Sequence, residues 1–174
     1  MSKVNTYKVE NGLFLHASSV NTSKGALLFL GHSSSGKSTI CRLLSKRFPI
    51  LADDRVWVCT GDGEKWFARD GGFHLQRRRE KLKMVPSYEM FPLFSVIRIF
   101  KAEKSEMQPI SPMESCCHLI DAVFEVTDQR KHDDWSVRKK WFSQVADIAR
   151  KYPGFHLYFK KDSFIIDLIK GDSE

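Results

Sequence analysis

Residues Gly31-His32-Ser33-Ser34-Ser35-Gly36-Lys37-Ser38 match the pattern G-x-x-x-x-G-K-[ST] without a mismatch, and nothing else in the chain constrains its fold as tightly. The pattern works where a strand enters a tight loop and a helix leaves it, with backbone N–H groups turned inward around a phosphate. Both flanks comply. Ala26–Leu30 is a continuous apolar run suited to a fully buried strand. Thr39–Arg47 reads as a helix with Ile40, Leu43 and Leu44 on one face, stopped by Pro49. The glycines permit the unusual backbone angles and leave room for the phosphate. Lys37 is expected to reach the β- and γ-phosphates of a nucleoside triphosphate, and the Ser38 hydroxyl to coordinate Mg²⁺. Gly31, His32, Ser33, Ser34, Ser35, Gly36, Lys37, Ser38 and Thr39 are therefore the candidate nucleotide-binding residues. Within that set His32 reads as a solvent-facing spacer, and Thr39 as an extension of the hydroxyl set or of the helix start.

The rest of the composition bounds the setting. A length of 174 residues fits a single domain over 1–174. Thirteen Phe, four Trp and four Tyr supply a core and exclude wholesale disorder. No run is long and apolar enough for a membrane-spanning helix, and the first residues lack a secretory pattern, so the cytoplasm is the expected location. Cys41, Cys59, Cys116 and Cys117 show no CxxC spacing and read as free buried thiols. A net charge of +7 and a pI near 9.3 favour anionic partners without choosing among them.

Along the chain, Tyr7–Val9 and Leu13–Ser18 flank Asn11-Gly12, a hairpin signal, and Asn21–Gly25 is a second turn. Ile50–Ala52 and Val56–Thr60 read as strands around Asp53-Asp54-Arg55, followed by Trp66–Ala68 and Leu93–Phe100. Ser111-Pro112-Met113-Glu114 is a capping box with Pro at the first helical position. Met113, Cys116, Cys117, Ile120, Val123 and Phe124 form its expected apolar face. A second helical stripe, Val137, Trp141, Val145, Ile148 and Ala149, ends before Pro153-Gly154. Phe155–Phe159 reads as a strand, and Phe164–Ile169 as a strand or short helix. The order implies an α/β fold with a mixed sheet.

Asp53 and Asp54 follow a strand expected beside the loop's own strand, where a Mg²⁺-linked carboxylate belongs. Adjacent residues on extended chain point to opposite sides, so the two acids are expected to divide roles. His16 ends the apolar run Leu13-Phe14-Leu15.

Together these residues carry a resemblance. Leu15 to Val58 resembles the catalytic domain of bacterial HPr kinase/phosphorylase, a family with a strand His, then this loop, then Ala-Asp-Asp-x-Val. Here the three parts are His16, Gly31–Ser38 and Ala52-Asp53-Asp54-Arg55-Val56, with His16 standing 21 residues before Lys37 as in the family. Asp54 lies 17 residues after Lys37, one fewer than is usual there. The resemblance implies the P-loop fold shared by HPr kinase and phosphoenolpyruvate carboxykinase. It also implies ATP with Mg²⁺ as cofactors and transfer of the γ-phosphate to a Ser hydroxyl of a protein or peptide. In that scheme His16, Lys37 and Asp54 are catalytic, with Asp54 the proton acceptor, and Ser38, Asp53 and Glu80 hold the metal. Homo-oligomerisation is implied as well.

Several features depart from the family. Thr39 stands where the family often has Glu, and Glu80 lies within Arg77-Arg78-Arg79-Glu80-Lys81, unlike the family's Gly-containing loop. No counterpart of the family's N-terminal domain is expected, and the C-terminal half looks more like compact HPr-kinase-related proteins. A nucleotide-binding regulatory module without turnover and a small-molecule kinase are the alternative readings. The basic run Arg77–Lys83 reads as a solvated loop or a docking site for phosphate or an acidic substrate. Nucleic acid is disfavoured there, because no aromatics interleave the cations. Gly71 and Gly72 would allow the run to act as a lid.

Overall fold

The computed structural model describes residues 11–60, 63–72, 82, 84–127 and 133–171. Its elements run β1 (Asn11–Thr22), β2 (Gly25–Leu30), α1 (Lys37–Leu44), β3 (Ile50–Ala52), β4 (Arg55–Thr60), β5 (Phe67–Asp70), β6 (Phe91–Lys101) and β7 (Glu106–Ile110). They continue with α2 (Pro112–Phe124), α3 (Trp135–Lys151), β8 (Gly154–Phe159) and α4 (Phe164–Gly171). The strands form one mixed α/β sheet in the order β2-β1-β4-β5-β6-β8-β7, with β3 on β1. Most pairings are antiparallel, while β2–β6 and β6–β8 are parallel.

The sheet has helices on both faces, and the period of its strands explains why. Leu13, Leu15 and Ala17 of β1 and Ala26, Leu28 and Leu30 of β2 pack with Leu119 and Val123 of α2 and Trp141, Val145 and Ile148 of α3. The alternate residues Val20, Leu27 and Phe29 pack with Ile40, Cys41 and Leu44 of α1 and with Ile165 and Ile169 of α4. Side chains alternate across a strand, so β2 feeds both cores, and all six of its residues are buried. No helix among the described residues is long and apolar enough to cross a membrane.

Several expectations need correction. Asn11-Gly12 is not a turn: both residues open β1, opposite Thr60 and Cys59. Gly12 is there because the Trp57 ring lies so close that a Cβ would stand 2.4 Å from its Cζ2. The turn at Asn21–Gly25 does form the β1–β2 hairpin. α1 begins at Lys37 and ends at Leu44. β7 was not anticipated, since its five residues carry too few apolar side chains for a clear strand signal and include Pro109. It is an edge strand paired with β8, where Pro is tolerated. Phe164–Ile169 is helical.

The capping box of α2 forms as read, with Ser111 and Glu114 bonding reciprocally. Its buried face is Ser115, Leu119, Ile120, Ala122 and Val123, whereas Met113 and Cys117 are exposed. The face is rotated because α2 must meet both the sheet and α3, and Cys116 is only half-buried as a result. The four cysteines are free. Glu80, the basic run at 77–81, Lys83 and Tyr7–Val9 lie outside the described residues.

Candidate active site

The phosphate loop closes the C-terminal end of β2. Ser34 has φ 64° and Gly36 φ 111°, both left-handed, which turns successive backbone N–H groups into a concave cradle. Gly36 is the N-cap of α1, and no side chain caps that helix, so its positive end faces the loop's interior. A Cβ at Gly36 would come within 2.7 Å of Phe159 Cζ, so glycine is required there on two counts. Gly31 lies against Ser35, whose Oγ would be 2.3 Å from a Cβ at that position.

Lys37 bends back over the loop, its Nζ donating to the carbonyls of Gly31 at 2.5 Å and His32 at 3.0 Å. An ammonium has three donors, so this tether still leaves one for a ligand. Burial pulls the Lys37 pKa below its ordinary value, with Arg98 adding to the effect and Glu125, Asp54 and Asp53 opposing it. An anion entering the loop supplies the compensation that burial withholds.

A cleft of about 340 Å³ opens in front of the loop, lined by Ser33, Ser34, Gly36, Lys37, Ser38 and Thr39 together with His16, Asp53, Asp54 and Lys101. Three stretches distant in sequence meet here because β1 runs through the site. Its Ala17 N–H bonds to the Asp54 carbonyl at 3.1 Å, and Ser18 Oγ donates to the Asp53 carbonyl at 3.1 Å. Those bonds pin the acidic pair beside His16. The two acids do point differently: Asp53 is 2% exposed, while the Asp54 side chain is 53% exposed.

The strand that delivers them corrects one expectation. β3 pairs with β1, and β1 stands between it and β2. The carboxylates reach the cleft from one strand further away than expected.

His16 Nε2 lies 3.5 Å from Asp54 Oδ1, and its Nδ1 bonds to Glu125 Oε2. The other Glu125 oxygen takes His32 Nδ1 at 3.0 Å. His32, read as a solvent-facing spacer, is 69% exposed on its side chain but tethered all the same. Gly31, His32 and Ser35 stand behind the cleft and do not line it. Sequence reasoning missed Glu125 and Lys101. A carboxylate at the C-terminus of a helix opposes the macrodipole, and that misplacement was the available signal for Glu125. Lys101 had none, since only the parallel β2–β6 pairing, which sets Leu30 opposite Arg98, carries the end of β6 to the loop.

The donor set suits a hard cation, because Ser38 and Asp53 offer hydroxyl and carboxylate oxygen. Among the described residues no cluster of three or more His, Cys, Asp or Glu could hold a metal by itself. A Mg²⁺ site shared between one or two protein oxygens and a nucleotide needs no such cluster.

Comparison with known proteins adds two findings. The solved structure of the Hpr(Ser) kinase/phosphatase from Coxiella burnetii superposes with a TM-score of 0.53 at 12% identity, covering 92% of this chain and 95% of that one. At that identity the likeness is one of fold. No curated protein matches the sequence. The family model described as SynChlorMet cassette protein ScmC matches residues 1–164, and on that match the chain belongs to the ScmC family.

Proposed function

We propose that this chain is an ATP- and Mg²⁺-dependent phosphotransferase of the HPr serine kinase type, moving the γ-phosphate to a Ser hydroxyl of a protein or peptide. The observation that carries the reading is the convergence of His16, Lys37 and Asp54 on one cleft whose wall is the phosphate loop. The fold it shares with an Hpr(Ser) kinase/phosphatase supports the same reading.

In this scheme the loop amides and Lys37 hold the triphosphate, so the γ-phosphorus faces Asp54 and His16. Ser38 and Asp53 would hold Mg²⁺, which would supply neutralisation of charge on the phosphate oxygens. Asp54 is exposed enough to meet an incoming hydroxyl. It takes the proton as the acceptor oxygen bonds to the γ-phosphorus and the bond from that phosphorus to the β–γ bridging oxygen breaks, releasing ADP. His16 turns its Nε2 toward Asp54 and the transferring group. Lys101 adds a second cation at the rim.

The test is transfer of label from γ-radiolabelled Mg·ATP to a serine-containing peptide library, with calorimetry of ATP binding alongside. The expected result is a labelled phosphoserine that Asp54→Asn abolishes while ATP still binds. ATP binding without labelling of any peptide or protein would leave a nucleotide-binding module in place of a kinase.

A further inference from the structure

Glu125 is the C-cap residue of α2, where the helix presents its negative end and a carboxylate is disfavoured. Burial raises its pKa, but hydrogen bonds from His16 and His32, and then the charges of His16 and Lys37, outweigh burial and hold it below the usual carboxylate range. Its two oxygens are divided: Oε2 takes His16 Nδ1, and Oε1 takes His32 Nδ1 at 3.0 Å. The side chain is not part of the cleft lining and meets the site through its histidine partners. Each of its partners leads onward to a different arm of the site. His16 presents its other nitrogen to Asp54 at 3.5 Å, and His32 presents its carbonyl to Lys37 at 3.0 Å.

We propose that Glu125 is a positioning residue: it fixes the ring and the Nδ1 proton of His16 so that Nε2 faces Asp54, and in the same grip ties the phosphate loop to α2 through His32. Its effect on turnover rests on the phosphotransfer reading, whereas the hydrogen bonds themselves do not. An imidazole has two similar nitrogens, and which one carries the proton follows from the partner of the other. Without Glu125, His16 could rotate or change tautomer, and Asp54 would face an undefined neighbour. Without the His32 contact, the residue whose carbonyl steadies Lys37 would lose its anchor. One carboxylate thus aligns the proton-handling arm and the phosphate arm together, as outer-shell carboxylates do for ligating histidines.

Glu125→Gln tests this at constant length, because an amide replaces one of the two acceptor oxygens with a donor nitrogen, so the divided grip on the two rings is lost. Long-range proton–nitrogen correlations on isotope-labelled protein report the protonation of each His16 nitrogen without any turnover. The expected result is a protonated His16 Nδ1 in the wild type and an altered His16 pattern in the variant, with an unchanged melting curve. In the transfer assay kcat is expected to fall about 10–100-fold, with a smaller change in the KM for Mg·ATP. Glu125→Asp keeps the charge but is one methylene too short to span both rings, and should fall in between. It also carries the measurement should the Gln variant fail to fold. Identical His16 nitrogen signals in wild type and variant, or an unchanged kcat, would overturn the proposal. A wild type that transfers no phosphate, yet whose His16 signals shift in Glu125→Gln, would remove the kinase reading and leave the positioning contact standing.

Discussion

His16 Nε2 stands 3.5 Å from Asp54 Oδ1 because β1 and β4 pair antiparallel in a register that sets His16 opposite Arg55, the residue after Asp54. The pairing ladder brings the two stretches together, and the bonds from Ala17 and Ser18 to the carbonyls of Asp54 and Asp53 hold them there. If they act as a unit, their substitutions will not add. His16→Ala and Asp54→Asn are each expected to lower phosphate transfer by about 10²–10⁴-fold, and the double variant by little more than the worse single one. Additive losses would mean that the two work independently.

Lys37 and Lys101 differ in what they should contribute to nucleotide affinity. Lys37 is buried and tethered to two carbonyls, so Lys37→Ala should cost about 1.5–3 kcal/mol of binding, roughly 10–150-fold in Kd. Lys101 is exposed at the rim, and Lys101→Ala should cost less than about 1 kcal/mol, with a loss that shrinks as salt rises. Titration calorimetry with Mg·ATP at two ionic strengths measures both.

Gly36 tests whether the cradle depends on backbone shape. At φ 111°, with Phe159 Cζ 2.7 Å from any added Cβ, Gly36→Ala should strain the loop by about 1–3 kcal/mol. Both the melting temperature and ATP affinity should drop. A variant that binds ATP normally would show that the left-handed turn is dispensable.

Leu28 sits in the central strand and is fully buried in the core beneath α2 and α3. Leu28→Ala should destabilise the fold by about 2–5 kcal/mol in a urea titration. A loss under 1 kcal/mol, to order of magnitude, would contradict a close-packed interior at that point.

Asp147 offers a pH prediction. Burial pushes its carboxyl up, but hydrogen bonds from Lys151 at 2.8 Å and from the Trp66 indole at 2.8 Å outweigh that and hold it below the usual Asp range. A depressed folded value means stability that is complete above the unfolded pKa of about 3.9 and is lost as pH falls through the folded one. Asp147→Asn should therefore be less stable than wild type by about 1 kcal/mol at neutral pH, with the gap closing below about pH 4. Urea melts at several pH values follow it.

What could be read directly was whatever is encoded locally. The phosphate loop, with left-handed angles at Ser34 and Gly36, follows from residue types along eight consecutive positions. The capping box at Ser111 and the core stripe of α3 are likewise properties of short stretches, set by hydrogen-bond reach and the 3.6-residue period. Asp53 and Asp54 do point differently, but they stand in the bend between β3 and β4, so the alternation of an extended chain is not the cause. Tertiary structure decided everything that depends on distant partners. Asn11-Gly12 carries a turn signal, yet it joins a strand because β4 pairs with it and Trp57 covers the glycine. β7 exists only because β8 offers it an edge. Glu125 and Lys101 meet the loop only through helix and strand packing, since a side chain's neighbours across a fold are set by register and layer order, neither of which is written at its own position.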